Sequence, residues 1–124
     1  MDIVEGDFLE ADLPLDAQYD AVWTSCSWHY SANHHRPLAD FVTRMQALVR
    51  GHGLFGAEFM MPVTARHHLI EHYTSPENLS LLFSAGWNVQ LALRTDQFTE
   101  SPHIGQPRPH THRMGLLLAT RLPH

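Results

Sequence analysis

Residues 19–30, YDAVWTSCSWHY, constrain the fold more than any other stretch of the chain. The stretch begins as an uncharged run with β-branched and aromatic members, which predicts a strand buried on both faces. It ends in a cluster of Ser, Cys, Trp, His and Tyr side chains. Ligands of open α/β sheets bind at the carboxyl ends of the strands. The stretch therefore predicts a central strand that carries chemically capable side chains at its carboxyl end.

A helix and a second buried strand follow and complete a β-α-β unit. Pro37 suits the first position of a helix, and Gly51 lies just beyond the last turn, where helices commonly stop. Between them, apolar residues recur at helical spacing as one stripe: Leu38, Phe41, Val42, Met45, Leu48 and Val49. We expect a helix over residues 37–50 and a buried strand over residues 53–59.

The remaining segments predict further elements around this unit. Strands are expected at residues 2–8, 87–93 and 114–120, and helices at residues 64–73 and 75–86. Ser75 and Pro76 are typical of a helix start. Leu82 and Phe83 of the same helix are predicted to be core residues. Residues 95–111, which include three prolines, are expected to form a long loop.

The charge distribution excludes several classes of function. Seven of the thirteen carboxylates fall in the first twenty residues, so a nucleic-acid partner is not expected there. All eight basic residues other than histidine are arginines, which excludes a P-loop and a Schiff-base lysine. With 124 residues, the chain is expected to form one domain over residues 1–124.

Cysteine usage and hydropathy bear on where the protein works. Cys26 is the only cysteine and can form no intrachain disulfide, which fits a reducing compartment. No stretch reaches the roughly 18 apolar residues of a membrane span, and no membrane partner is expected. The sequence therefore predicts a cytoplasmic protein.

Five segments, taken in order, resemble a class I S-adenosylmethionine-dependent methyltransferase. They are VEGDFLEADLP, YDAVWTSCSWHY, the helix leading into LVRGHGLFGAEF, YTSPENLSLLFSAGW, and two strands from NVQLALR and MGLLLAT. They correspond to the carboxyl-terminal two-thirds of the family's domain. The resemblance implies an α/β fold, a truncated Rossmann-like methyltransferase sheet that is mostly parallel with an antiparallel last strand and has helices packed on it. It also implies methyl transfer from S-adenosylmethionine to a small-molecule substrate.

The resemblance assigns roles to seven residues. In the cofactor site, Asp7 would accept a hydrogen bond from the adenine amino group, and Phe8 would lie against the adenine ring. Ser25 and Cys26 would line the methionine side of the cofactor. Three residues would face the transferred methyl group and its acceptor: Trp28 as a substrate contact, and His29 and Tyr30 as catalytic residues.

Simpler interpretations of three of these residues stay open. Aspartate is common in turns after strands, so Asp7 can also be interpreted as a simple turn residue. His29 suits a general base, but a loop histidine packed beside an aromatic ring is an equal alternative. Cys26 is better interpreted as a small buried side chain than as a nucleophile.

The glycine-rich turn of the family is missing. No G-x-G-x-G run occurs, and Gly51 and Gly53 precede a predicted strand rather than a helix. We interpret the chain as a fragment that lacks part of the cofactor site. The alternative is a non-catalytic interaction module or a remnant of the methyltransferase fold.

The eleven histidines raise a less favoured alternative, a histidine-based metal-binding protein. His68, Glu71 and His72 match the H-x-x-E-H string of one group of metallopeptidases, and the two histidines would share one face of the helix at residues 64–73. Because histidine is so abundant here, a chance match is easy, and no metal ligands are predicted.

The absence of the family's first two strands leaves one edge of the predicted sheet without a partner. We expect the strand at residues 2–8 to pair with residues 20–26, which gives the order 3-4-5-7-6 in the family's strand numbers. Otherwise this open edge would pair with another copy of the chain and form a homo-oligomer.

Overall fold

The computed structural model describes residues 3, 5–10, 19–101 and 110–123. Its helices and strands, in chain order, are β1 (Tyr19–Ser25), α1 (His29–Asn33), α2 (Leu38–Leu48), β2 (Val49–Met60), α3 (Pro76–Ser80), β3 (Trp87–Arg94), β4 (Phe98–Glu100), β5 (His110–His112) and β6 (Met114–Arg121). Short 3-10 helices lie at His67–Leu69 and Leu81–Phe83. Within the described ranges, no helix has the length and apolar character needed to cross a bilayer.

The described residues form a main sheet of four strands in the order β1-β2-β6-β3. β1 and β2 are parallel, whereas β6 runs antiparallel to both of its neighbours. β4 and β5 form a separate antiparallel pair. The arrangement confirms the predicted fold class, a truncated methyltransferase-type sheet that includes an antiparallel last strand.

Local signals place α3 where the sequence predicts a helix start. The Ser75 hydroxyl oxygen accepts a hydrogen bond from the Asn78 backbone N–H at 3.1 Å, and Pro76 occupies the first turn. The helix predicted over residues 75–86 is observed as α3 followed by the 3-10 helix at Leu81–Phe83, so it ends three residues before Gly86. Gly86, with φ of +82°, lies between this helical segment and β3 in a conformation that side chains disfavour.

The core lies on one side of the sheet, because the helices pack there. Phe55, Ala57 and Phe59 alternate along β2 and are completely buried. The ring of Phe83 lies 4.9 Å from that of Phe55, which confirms its place in the core. The prediction for Leu82 is wrong: this side chain is 37% exposed, since the inward positions are taken by other residues of the segment.

The opposite side of the sheet carries exposed apolar side chains. Trp23 is 54% exposed and Leu93 is 52% exposed. Strand pairing places them on one surface, the open face: Trp23, Leu54, Leu91, Leu93, Leu116 and Leu118. The prediction that residues 20–26 are buried on both faces is therefore wrong, because the described helices cover only one side.

The described part of the amino-terminal segment does not add a fifth strand. Residue 3 and residues 5–8 carry no strand, and residues 2 and 4 lie outside the described ranges. Instead, Asp7 accepts a hydrogen bond from the backbone N–H of Leu9 at 2.9 Å and closes a turn. The ring of Phe8 packs on Phe41 of α2. The predicted pairing with residues 20–26 is therefore wrong, since this turn and the burial of its side chains on α2 take the place of strand extension.

Two further segments differ from the predictions. Residues 64–73 form only the 3-10 helix at His67–Leu69, because Glu71 reaches away to the start of α2. Leu69, the last residue of this 3-10 helix, is 86% exposed. Residues 95–111, predicted as a loop, contain β4 and the start of β5, and residues 102–109 lie outside the described ranges.

Candidate functional site

A groove of about 460 Å³ runs beside β1, between this strand, α2 and the amino-terminal turn. We call it the β1 groove, and its lining residues are Gly6, Asp7, Phe8, Leu9, Val22, Trp23, Thr24, Ser27, Tyr30, Phe41, Met45 and Leu48. The volume falls in the range of small-molecule pockets. Its surface is mainly apolar, with a carboxylate and hydroxyl groups at one end.

Asp7 holds the turn at the mouth of the β1 groove. One carboxylate oxygen accepts from the Leu9 backbone N–H at 2.9 Å, and the other lies 3.2 Å from Nε2 of His34. A carboxylate has about four acceptor positions, so two hydrogen bonds do not saturate it. Asp7 can therefore stabilise the turn and accept a further hydrogen bond from a ligand.

Phe8 lies between an aromatic ring and a guanidinium group. Its ring centroid is 4.8 Å from that of Phe41, and the guanidinium carbon of Arg44 lies 5.6 Å from the ring. Arg44 also donates to the backbone carbonyl of Phe8. These contacts fix the wall of the groove before any ligand binds.

Hydroxyl groups from β1 and the following loop form the polar end of the groove. The hydroxyls of Thr24 and Ser27 are hydrogen-bonded to each other, and Thr24 is buried. Tyr30, at the start of α1, is 64% exposed and lines the same groove. Sequence reasoning did not single out Thr24 or Ser27, although both lie in the polar cluster that ends β1.

Ser25 and Cys26 do not line the β1 groove. The Ser25 hydroxyl donates to the carboxylate of Glu58 on β2. Burial, followed by the negative charge of Glu58, raises the pKa of the Cys26 thiol, which keeps it protonated near neutral pH. Cys26 also has a left-handed φ of +52° at the end of β1. Both residues are therefore directed toward β2, away from the other predicted cofactor contacts.

Trp28 is a core residue. Its side chain is 1% exposed, and its indole N–H donates to the carbonyl of His72 at 3.1 Å. The ring packs at 5.4 Å from Phe59 of β2. A substrate contact through this ring would require an exposed ring, and the structure places it inside.

His29 lies in a column of rings and does not line the β1 groove. Its ring centroid is 4.6 Å from that of Tyr73, and His67 stacks on the same tyrosine at 4.0 Å. Burial lowers the pKa of His29, and the nearby His72 and His67 lower it further. Among the described residues, no group forms a hydrogen bond with the buried Nε2 of His29.

Within the described residues, the H-x-x-E-H string is not part of a cluster of metal-binding side chains. His72 is buried and shares a hydrogen bond with the backbone carbonyl of Arg36 at 3.0 Å. Glu71 accepts from the Leu38 backbone N–H. The described residues contain no group of three or more metal-binding side chains. His68 and His72 do not share a helix face, since the helix ends at Leu69.

The structure thus brings together three of the seven predicted site residues. Asp7, Phe8 and Tyr30 share the β1 groove. The other four lie apart from it: Ser25, Cys26, Trp28 and His29. The roles predicted for the seven residues stay predictions, and their placement favours the groove as the site to test.

Comparisons with known proteins bear on the fold. The sequence matches no protein-family model and no curated protein. A solved structure of a protein named as a methyltransferase, from Bacillus halodurans, matches with a TM-score of 0.60 at 14% identity, over 97% of this chain and 71% of that chain. A second solved structure is described as "Conversion of a Disulfide Bond into a Thioacetal Group during Echinomycin Biosynthesis". It matches with a TM-score of 0.58 at 12% identity, over 94% of this chain and 55% of that chain.

These matches establish a class I methyltransferase-like fold for the chain. The chain spans just over half the length of the second structure. At such low identity, the likeness concerns the fold, and the function has to be argued from the site.

Proposed function

We propose that the chain is the carboxyl-terminal part of an S-adenosylmethionine-dependent methyltransferase that acts on a small-molecule acceptor. The observation that carries the proposal is the β1 groove, which joins Asp7, Phe8 and Tyr30 on a methyltransferase-like sheet. When bound, the cofactor supplies an activated methyl group, and the protein's own residues bind and orient the reactants.

The adenine end of the cofactor suits the groove. The carboxylate of Asp7 retains acceptor capacity beyond its bonds to Leu9 and His34. The apolar wall formed by Phe8, Phe41 and Met45 matches a flat heterocyclic ring. Asp7 would therefore fix the orientation of the ring, and the wall would supply most of the burial.

The methionine end is not complete in this sequence. Its carboxylate requires donors, and no basic side chain is among the described residues that line the groove. Ser25 is already bonded to Glu58. We infer that further residues outside this sequence complete the cofactor site, in agreement with the missing glycine-rich motif.

Methyl transfer depends mainly on alignment of the donor sulfur, the methyl group and the acceptor atom. Tyr30, which is exposed beside the groove, can hydrogen-bond an acceptor molecule. His29 is held uncharged by its lowered pKa, so its ring can accept a proton if the acceptor must lose one. To reach an acceptor, its ring would have to leave the column with Tyr73.

Titration calorimetry with S-adenosylhomocysteine tests the proposal. Asp7→Ala should weaken binding by about 1–3 kcal/mol, because a buried hydrogen-bonding group of the ligand loses its partner. Asp96→Ala removes a carboxylate that does not line the groove and should leave the affinity unchanged. Equal affinity of the Asp7 variant and the wild type would remove Asp7 from the site. The proposal requires the adenine end alone to give measurable binding, so no heat with the wild type would favour the alternative, a non-catalytic interaction module.

A further inference from the structure

His34 contacts the β1 groove from outside. It directly follows α1 and does not line the groove, but its Nε2 lies 3.2 Å from Oδ2 of Asp7, which does. An ionised carboxylate has only acceptor atoms, so the contact is favourable when Nε2 carries a proton, in the neutral or in the charged ring. His34 is thus a donor next to the carboxylate that we propose binds adenine.

The Asp7 carboxylate is held at both of its oxygen atoms. Oδ1 accepts from the Leu9 backbone N–H at 2.9 Å, and Oδ2 faces His34. With one contact alone, the carboxylate could turn about the bond to its Cβ atom, because this torsion is broad in aspartate. The second contact fixes the plane of the carboxylate and therefore the direction of its remaining acceptor positions.

The turn that carries Asp7 has other attachments to the helices. Glu10 forms an ion pair with Arg36 at 3.0 Å, and Arg44 donates to the backbone carbonyl of Phe8. The ring of Phe8 also packs on α2. The turn would therefore stay in place without the His34 side chain, and only the carboxylate would lose its second contact.

We propose that His34 is a positioning residue of the cofactor site, which holds the Asp7 carboxylate in the orientation that accepts from the adenine amino group. This inference rests on the proposed function, because it concerns the same end of the cofactor. A polar group that is oriented before binding loses less freedom when the ligand arrives. His34 therefore raises the affinity for the cofactor through Asp7, without a ligand contact of its own.

The contact should matter much less for folding than for binding. The side chains of His34 and Asp7 are 48% and 28% exposed, and ion pairs with this degree of exposure contribute little to stability. Variants of His34 should therefore unfold at about the denaturation midpoint of the wild type. A loss of affinity without a loss of stability separates positioning of the carboxylate from a general structural role.

The ring of His34 has a second neighbour, Tyr30, whose ring centroid lies 6.3 Å away. Two variants separate this ring contact from the contact with Asp7. His34→Gln keeps a side-chain N–H and removes the ring, whereas His34→Phe keeps a ring and removes the donor. In titration calorimetry with S-adenosylhomocysteine, the glutamine variant should bind nearly as the wild type does. The phenylalanine variant should bind about 3–10-fold more weakly.

A double-mutant cycle tests whether His34 acts through Asp7. His34→Ala alone should weaken binding of S-adenosylhomocysteine by about 3–10-fold. In an Asp7→Ala background, the same substitution should have no further effect, because the carboxylate that it orients is gone. His35→Asn is the matched control: His35 does not line the groove, and asparagine tolerates its left-handed φ of +55°. Circular dichroism and urea denaturation check that each variant is folded.

The results distinguish this inference from the proposed function. No binding by the wild type would remove the proposed function and, with it, this role of His34. A loss of affinity in Asp7→Ala together with wild-type affinity in His34→Ala would remove the role of His34 alone. An equal effect of His34→Ala in both backgrounds, or tighter binding by His34→Phe than by His34→Gln, would show that His34 acts on something other than Asp7 and would overturn the inference.

Discussion

Trp23 lies over Gly56 on the open face of the sheet. A Cβ atom on Gly56 would come within 2.5 Å of Cε3 of the indole and 3.0 Å of a methyl group of Leu118. The two residues are partners in the β1–β2 register. The glycine therefore provides the space in which a large ring rests on the middle of the sheet.

The close approach predicts the effect of adding one methyl group. Gly56→Ala should lower the free energy of unfolding by about 1–3 kcal/mol, since the ring or the backbone has to move. Urea denaturation measures the change. Gly51→Ala is the matched control on the same strand, because the nearest atom to its added Cβ lies 3.8 Å away. Equal stability of the two variants would mean that Trp23 does not occupy this position.

The ring column around Tyr73 predicts a pH-dependent stability. The pKa of His29 is lowered from its ordinary value of 6.5, first by burial and then by the nearby His72 and His67. Below pH 6.5 the unfolded chain therefore binds a proton that the folded chain does not. Stability is fully present above this pH and falls as the pH drops through it, until the folded protein also binds the proton.

Denaturation midpoints between about pH 7.5 and about pH 5.5 measure this loss in the range where histidine titrates. His29→Phe keeps a ring against Tyr73 and removes the proton site, so its midpoint should depend less on pH than that of the wild type. His68→Gln removes an exposed histidine and should behave as the wild type does. The same pH dependence in the wild type and His29→Phe would assign the effect to other groups.

The four strands of the main sheet and the longest helix could be predicted from the sequence, because each carries an apolar pattern. The helical stripe that includes Leu38 and Met45 gives α2, and β2 and β6 follow from the apolar runs GLFGA and MGLLLA. The prediction of a strand at residues 2–8 was wrong because two tendencies compete in this segment. An apolar run predicts a strand, whereas Asp7 can close a turn and Phe8 can pack on α2, and only the tertiary contacts decide.

The candidate site was less predictable, because neighbouring residues in the polar cluster point in different directions. Residues 25–30 leave the strand through a left-handed residue, Cys26, and enter α1 within three residues. This change of direction sends Trp28 into the core and His29 toward Tyr73, while Tyr30 stays at the groove. Residue type alone does not encode which of these directions each side chain takes.

A matched pair of leucines tests the packing of the segment after Ser75. Leu79 is completely buried, whereas Leu81 is 70% exposed. Leu79→Ala should cost about 2–5 kcal/mol of unfolding free energy, as buried leucines do. Leu81→Ala should change it by about 0.5 kcal/mol or less. Similar denaturation midpoints for the two variants would show that the segment is rotated relative to the sheet.

Glu71 supplies the cap that α2 lacks in its own sequence. Pro37 precedes the helix and offers no side-chain acceptor, while the carboxylate of Glu71 accepts from the Leu38 backbone N–H at 2.7 Å. A carboxylate at the amino terminus of a helix also interacts favourably with the helix dipole. The contact therefore joins the loop after β2 to the helix that precedes β2.

Removal of this cap should destabilise the fold. Glu71→Ala should lower the free energy of unfolding by about 0.5–2 kcal/mol, the usual cost of a lost cap. Glu71→Gln keeps an oxygen acceptor and should lose less, because it sacrifices the charge but retains the hydrogen bond. Hydrogen exchange should show faster exchange of the Leu38 amide in the alanine variant than in the glutamine variant. If the two variants were equally stable and exchanged alike, the carboxylate would not cap α2.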